Sequence, residues 1–205
     1  MKVAALYDVH AMPWALQAVL AEVAADRIVF GGDLVDGPYD DETLELARSV
    51  DAVWLRGNCE DAYAWGAELP LAVELDGVTY CHATPTDNMP LTTAITPDDE
   101  LVRLFGGTGT FVIGHSHHQY DRRVGDLRVV NAGSVGMAYE DDVAAYWTLV
   151  EDGEPRFMRT PFDVGLAVER VRATDWPLAG EFVAENLLVA PSRDEAIREL
   201  EGRRA

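Results

Sequence analysis

KVAALYDVHAMPWALQAVLAEVAADRIVFGGD, residues 2–33, carries the alternation that decides the fold. Lys2–Tyr7 is an apolar run of strand length, closed by the polar pair Asp8 and His10. Pro13–Ala25 is alanine-rich with amphipathic spacing, and its opening proline suits the first turn of a helix. Arg27–Phe30 is a second short strand, ended by Gly31-Gly32. The rhythm continues outward: Asp40–Ser49 reads as a helix and Ala52–Leu55 as a third strand, stopped by Gly57. Strand–helix repeats of this kind imply parallel pairing with right-handed crossovers.

The second half is strand-rich, with candidate strands at Ala72–Leu75, Val78–Cys81, Phe111–Ile113, Gln119–Val124, Leu127–Val130, Ala144–Val150 and Arg156–Thr160. Asp76-Gly77 and Glu151-Asp152-Gly153 are hairpin turns, since glycine tolerates positive φ. One helix intervenes, with Thr96 as N-cap, Pro97 at its first position and Asp98–Glu100 in its first turn. From Asp163 the pattern turns helical, over Asp163–Ala173, Leu178–Ala190 and Ser192–Gly202, the last with a capping box of Ser192 and Glu195. The expected architecture is α/β: two mixed sheets forming a sandwich with helices outside. Residues 1–205 form a single domain, with residues 1–162 as its core and residues 163–205 as a helical extension packed on it.

Composition narrows the function classes. The hydrophobic share of 48% is that of a globular chain, and Cys59 and Cys81 make no disulfide framework. No uncharged run approaches the length of a membrane helix, and a cleaved leader would remove Asp8 and His10. The cytoplasm is the expected compartment. Sixteen basic against 36 acidic side chains leave a net charge of −20, which repels phosphate backbones. Neither long nucleic acid nor a membrane is expected as partner, while a homo-oligomer is allowed. An anionic substrate would need a local positive centre, which bound cations supply.

Such a centre is written in five motifs. Asp8-Val9-His10 follows the first strand; residues at i and i+2 of an extended chain share a side. Gly31-Gly32-Asp33-Leu34-Val35-Asp36-Gly37 follows the second and Gly57-Asn58-Cys59-Glu60 the third. Asp8, Asp33 and Asn58 are each 25 residues apart, one β-α repeat. Cys81-His82-Ala83 and Gly114-His115-Ser116-His117 come from the strand-rich half. Any one of these alone is commonly a turn, a core histidine or a polar loop. Five in this order, at the strand ends where α/β sheets bind ligands, are not accidental. Asp8, His10, Asp33, Asn58, His82, His115 and His117 combine carboxylate, amide and imidazole donors. That set suits Mn, Fe, Co, Ni or Zn, and seven donors fit two ions sharing one carboxylate.

These motifs resemble the calcineurin-like metallophosphoesterase family, whose ordered pattern is D-x-H, G-D-x-x-D, G-N-H-(D/E), a histidine after a strand, and G-H-x-H. Asn131–Gly136 is similar to the family's closing strand and turn. The resemblance implies a four-layer α-β-β-α sandwich. It also implies one ion on Asp8, His10, Asp33 and His117, and a second on Asp33, Asn58, His82 and His115. Manganese is the expected metal. The implied reaction is hydrolysis of a small phosphate ester by in-line attack of a hydroxide bridging the two ions. Asp33, Asn58, Cys59 and His82 are the implied catalytic residues. Asp36 would orient a ligand or cap the turn at Gly37.

Cys59 departs from the pattern, because most of the family has His there as the acid for the leaving oxygen. Gly-Asn-Cys-(Asp/Glu) is similar to a subgroup of small bacterial and archaeal phosphodiesterases. A thiol is a poorer acid than imidazolium at neutral pH. Diesters and esters with stable leaving groups are therefore expected, with Glu60 or water as substitute acids. The alternatives are a phosphomonoesterase, a dinucleoside polyphosphate hydrolase, or a metal-binding interaction scaffold with weak catalysis. Arg56, Arg122, Arg123 and the loop Thr84–Met89 are candidate substrate contacts, and Tyr139 with Glu140–Asp142 a candidate rim.

Overall fold

In the computed structural model, which describes residues 1–204, the first strand sets the layering. β1 (Lys2–Leu6) is apolar at successive positions because both its faces are covered. Successive strand side chains point to opposite sides. Ala4 and Leu6 accordingly join one apolar cluster with helix residues, while Val3, Ala5 and the following Tyr7 join another between two sheets.

α1 (Pro13–Glu22) connects β1 to β2 (Arg27–Phe30), and α2 (Asp40–Arg48) connects β2 to β3 (Ala52–Trp54). The three strands run parallel, as the β-α rhythm requires. After them come β4 (Ala72–Leu75), β5 (Val78–Cys81), α3 (Asp98–Phe105), β6 (Thr108–Ile113), β7 (Tyr120–Val124), β8 (Asp126–Asn131), β9 (Ala145–Glu151) and β10 (Glu154–Thr160). One sheet has the order β10-β9-β1-β2-β3 and the other β4-β5-β6-β8-β7. Both are mixed: the β1–β9 and β9–β10 pairs are antiparallel in the first, the β4–β5 and β7–β8 pairs in the second.

Three apolar layers define the four-layer sandwich. Trp14, Leu16 and Val19 of α1, with Leu44 and Ala47 of α2, pack on Phe30, Trp147 and Leu149 of the first sheet. Tyr7, Val29, Leu55, Tyr80, Val112 and Val130 fill the space between the sheets. Leu101 and Phe105 of α3 cover Phe111, Ile113 and Val129 of the second sheet. Each fully buried side chain of this size contributes about 1.5–3 kcal/mol. The layer between the sheets is therefore firm enough to hold their strand-end loops face to face.

α4 (Val164–Arg172), α5 (Ala179–Phe182) and α6 (Arg193–Arg204) follow the sandwich. The Asp163 carboxylate caps α4 by accepting from the Leu166 amide at 2.9 Å. Ala167, Val171, Phe182, Val183 and Leu187 join the cluster on the first sheet. Arg193 of α6 donates to Glu140 at 3.0 Å and to the Gln119 carbonyl at 2.5 Å, tying that helix to the second sheet's loops.

Some local expectations are corrected. Thr96 does not cap α3; its hydroxyl accepts from the Thr93 amide at 2.8 Å inside a buried turn, and Pro97 takes the cap position. The helix expected over 178–190 is a short α5 followed by a π turn over Val183–Leu187. The wider turn keeps Phe182, Val183 and Leu187 on one buried face. The capping box at α6 is half formed: the Glu195 amide donates to Ser192 Oγ at 3.4 Å, and among the described residues no bond returns from the Glu195 carboxylate.

Candidate metal centre

The parallel strands of both sheets end at one edge, and the polar motifs follow them there. Backbone bonds lace the loops together: the Asp8 amide donates to the Gly32 carbonyl, the His10 amide to the Asp33 carbonyl, and the Gly114 amide to the His82 carbonyl. The turn after β8 pins the first loop. Ser134 Oγ donates to the Asp8 carbonyl at 2.7 Å, and Asn131 Nδ2 holds Gly114 and Ser116 of the opposite loop. The supporting roles of Asn131 and Ser134 were not assigned from sequence, although their motif was visible.

All seven candidate ligands meet in this crevice. Asp8 Oδ1 lies 3.3 Å from His117 Nε2, and His10 Nε2 lies 3.1 Å from the same nitrogen. His82 Nε2 lies 3.0 Å from Asn58 Oδ1 and 3.2 Å from His115 Nδ1. Asp33 Oδ2 stands between the two groups, 3.9 Å from His10 Nε2 and 3.5 Å from His82 Nε2. The other oxygen of each carboxylate is taken by backbone: Asp8 Oδ2 accepts from the His115 amide at 2.9 Å, and Asp33 Oδ1 from the Cys59 amide at 2.8 Å. Asp8 Oδ1 is fully buried and has no hydrogen-bond partner among the described residues. An orphaned buried carboxylate oxygen facing two imidazoles calls for a cation.

The imidazoles are oriented for the same task. His82 Nδ1 donates to the Gly31 carbonyl at 3.0 Å, His115 Nε2 to Met89 at 3.1 Å, and His117 Nδ1 to Met137 at 2.9 Å. In each the remote nitrogen has its partner in a backbone carbonyl, so the inward one is the nitrogen left to face an ion, the arrangement that metal-binding histidines use. Burial pushes His115 down to about 4, with the charge of His82 adding to it. Burial also lowers His10, helped by His117, so both present neutral, ligating rings. Burial opposes ionisation of Asp8 and Asp33. The neighbouring imidazoles outweigh it, chiefly His117 for Asp8 and His82 for Asp33, and hold both carboxyls below their ordinary range.

The backbone route to this convergence differs from the expected one. Asp8 (φ 53°), His10 (φ 48°), Asp33 (φ 54°), His115 (φ 69°) and His117 (φ 57°) are all left-handed, so neither D-x-H nor G-H-x-H is extended. Each such residue costs about 1–2 kcal/mol relative to the ordinary conformation. The motif glycines have a steric reason. A Cβ at Gly57 would lie 2.1 Å from Asp33 Oδ1, and one at Gly114 2.4 Å from Asp8 Oδ2.

Residues beside the ligands take roles the sequence left open. Glu60 is fully buried, and its two oxygens accept from the amides of Asp33, Leu34 and Gly57, each at 2.8 Å. It is a structural clip, not a substitute acid. Cys59 Sγ points to Asp36 Oδ2 at 3.7 Å and is near enough to His10 and Asp33 for all three to share an ion. Burial, reinforced by the charge of Asp33, pushes its thiol far up. Asp36 does not cap Gly37, whose amide donates to Asp40. Arg122 is spent on the Ala94 and Thr96 carbonyls and Asp98, and Arg123 faces Glu154 at 3.9 Å. Arg56 lies 3.8 Å from Asp61. The His118 ring is a buried link between the Ser116 carbonyl and the Ala94 amide. Tyr139 does reach the site, its ring 4.9 Å from that of His117, whereas Glu140 is buried against Gln119 and Arg193.

A two-sheet sandwich with a histidine–carboxylate crevice at its strand ends could hold metal ions where an α/β sheet binds its ligands. Residues 1–153 match the model of the calcineurin-like phosphoesterase superfamily domain, and the chain belongs to that superfamily. Among solved structures, a metallophosphoesterase from Sphaerobacter thermophilus superposes with a TM-score of 0.73 at 19% identity, covering 90% of this chain and 98% of that one. A hypothetical protein from Pyrococcus horikoshii gives 0.68 at 15% identity, covering 83% and 92%. The phosphoesterase Yfce of E. coli gives 0.52 at 18% identity, covering 80% and 100%. These likenesses are of fold. No curated protein matches the chain. No helix among the described residues is long and apolar enough to cross a membrane.

Proposed function

We propose that the protein is a phosphodiesterase acting on small phosphate esters with two divalent transition metal ions, manganese first among them. Asp8, His10, Asp33 and His117 would hold one ion and Asp33, Asn58, His82 and His115 the other. The observation that carries this reading is the placement of Asp33 Oδ2 between two imidazole groups, each completed by its own oxygen ligand. Bound there, the ions would activate a water and offset charge on the phosphoryl oxygens.

The chain's own residues do the rest. Backbone carbonyls anchor the outer nitrogens of His82, His115 and His117, which turns their inward nitrogens toward the proposed ions. Buried Asp8 and Asp33 keep their negative charge against desolvation and so favour cations over the neutral alternative. Cys59 stays a neutral thiol near the reacting centre and gives little help to a departing alkoxide. Diesters with stable leaving groups are the substrates that need such help least.

Purified protein should hydrolyse bis(4-nitrophenyl) phosphate faster than 4-nitrophenyl phosphate when supplied with Mn, Fe, Co, Ni or Zn, and a chelator should stop both. No turnover with any of these metals would overturn the reading. Cys59→His should then raise turnover of an alkyl ester about a hundred-fold while changing a nitrophenyl ester much less, the lower end of the range for a positioned general acid. Equal changes in both, measured by steady-state kinetics, would remove the thiol from the account.

A further inference from the structure

A cavity of about 510 Å3 opens beside the candidate centre, with His10 and Asp36 on its floor. His10 links the cavity to the candidate ligands behind it, its Nε2 lying 3.1 Å from that of His117. The facing wall comes from residues 176–203, after the sandwich. Such a volume suits a small molecule.

The wall is chemically unlike an anion site. Glu181, Glu185 and Glu195 line it, and their carboxylates enter no ion pair or hydrogen bond among the described residues. Arg203 on the same wall is taken by Glu199 at 2.5 Å. Aromatic rings stand among these charges: Tyr139 against His117, and Trp176 edge-on to Phe182 at 5.6 Å. Free carboxylates would repel a polyphosphate tail. Carboxylates interleaved with aromatic faces instead attract an alkylammonium group.

We propose that the substrate is a phosphodiester with one ester arm ending in an alkylammonium group, lodged against Glu181, Glu185 and Trp176 while the phosphoryl group occupies the centre. This rests on the phosphodiesterase reading. It disfavours dinucleoside polyphosphates, which carry several negative charges and no cation.

Two esters with the same leaving group test it on the manganese-loaded full chain: 4-nitrophenyl phosphorylcholine and its neutral carbon isostere, 4-nitrophenyl 3,3-dimethylbutyl phosphate. The expected kcat/KM ratio favours the choline ester by about ten-fold, within the range for a desolvated cation–aromatic contact. In the double variant Glu181→Gln, Glu185→Gln the ratio should fall toward one. The ratio is internal to each preparation, so partial loss of folded protein cancels. A reading independent of turnover is available from the metal-free protein. Tetramethylammonium chloride should shift the Trp176 indole resonance saturably in the parent chain and not in the double variant. Equal kcat/KM for the two esters, or no saturable shift, overturns the assignment. Turnover of neither ester, with a normal shift, would place the failure in the phosphodiesterase reading.

Discussion

Asp33→Ala is expected to lower kcat/KM for a nitrophenyl phosphodiester by about three orders of magnitude, equivalent to about 4 kcal/mol of transition-state stabilisation. The reason is positional. Among the described residues, Asp33 Oδ2 is the one carboxylate oxygen within 4 Å of both His10 and His82, so its loss removes a ligand from each proposed ion. It also removes the acceptor for the Cys59 amide, which positions the loop carrying Asn58. Two measurements separate these effects. Metal content after dialysis should fall from two ions per chain to one or none, while far-ultraviolet circular dichroism keeps its folded form. A variant within ten-fold of the parent activity would show that the centre does not depend on a shared carboxylate.

Glu60→Ala should cost about 3–6 kcal/mol of unfolding free energy, because three buried backbone donors lose their acceptor at about 1–3 kcal/mol each and local water recovers some of it. The Asp33, Leu34 and Gly57 amides all point at this one carboxylate at 2.8 Å. Those amides have no other acceptor among the described residues. The clip joins the loop after β2 to the loop after β3, so the variant should also bind metal more weakly even where it still folds. Urea denaturation reads the first effect and metal titration the second. A loss below about 1 kcal/mol, the size of a single hydrogen bond, would mean that the two loops hold without the clip.

Much of the site was legible because each ligand follows a strand. The equal spacing of Asp8, Asp33 and Asn58 marked three parallel strands, and those strands do pair in that order. His82 and His115 sit behind β5 and β6, the corresponding parallel pair of the other sheet. What the sequence did not convey was the backbone geometry. Residues i and i+2 were read as neighbours on an extended chain, but left-handed turns at Asp8, His10, His115 and His117 bring their side chains together. Positive φ at Asp or His leaves little trace in residue type, since neither is the glycine that normally announces it. Glu60 was misjudged for a related reason: a carboxylate beside a catalytic motif looks reactive until its three backbone donors are seen. Arg122 looked like a phosphate contact, yet its guanidinium is consumed by a turn some 26 residues upstream in sequence. Pairings of that kind depend on tertiary placement and have no local pattern.

The match to the superfamily domain ends at residue 153, whereas the cavity wall facing the centre begins at Trp176. Most of the lining of the space beside the centre therefore comes from residues that follow the matched domain. Substitutions after β10 would alter that wall while leaving all seven candidate ligands in place. An ancestral chain could thus acquire a new diet by changing its tail, and a designer could graft tails from distant relatives onto one unaltered hydrolytic core.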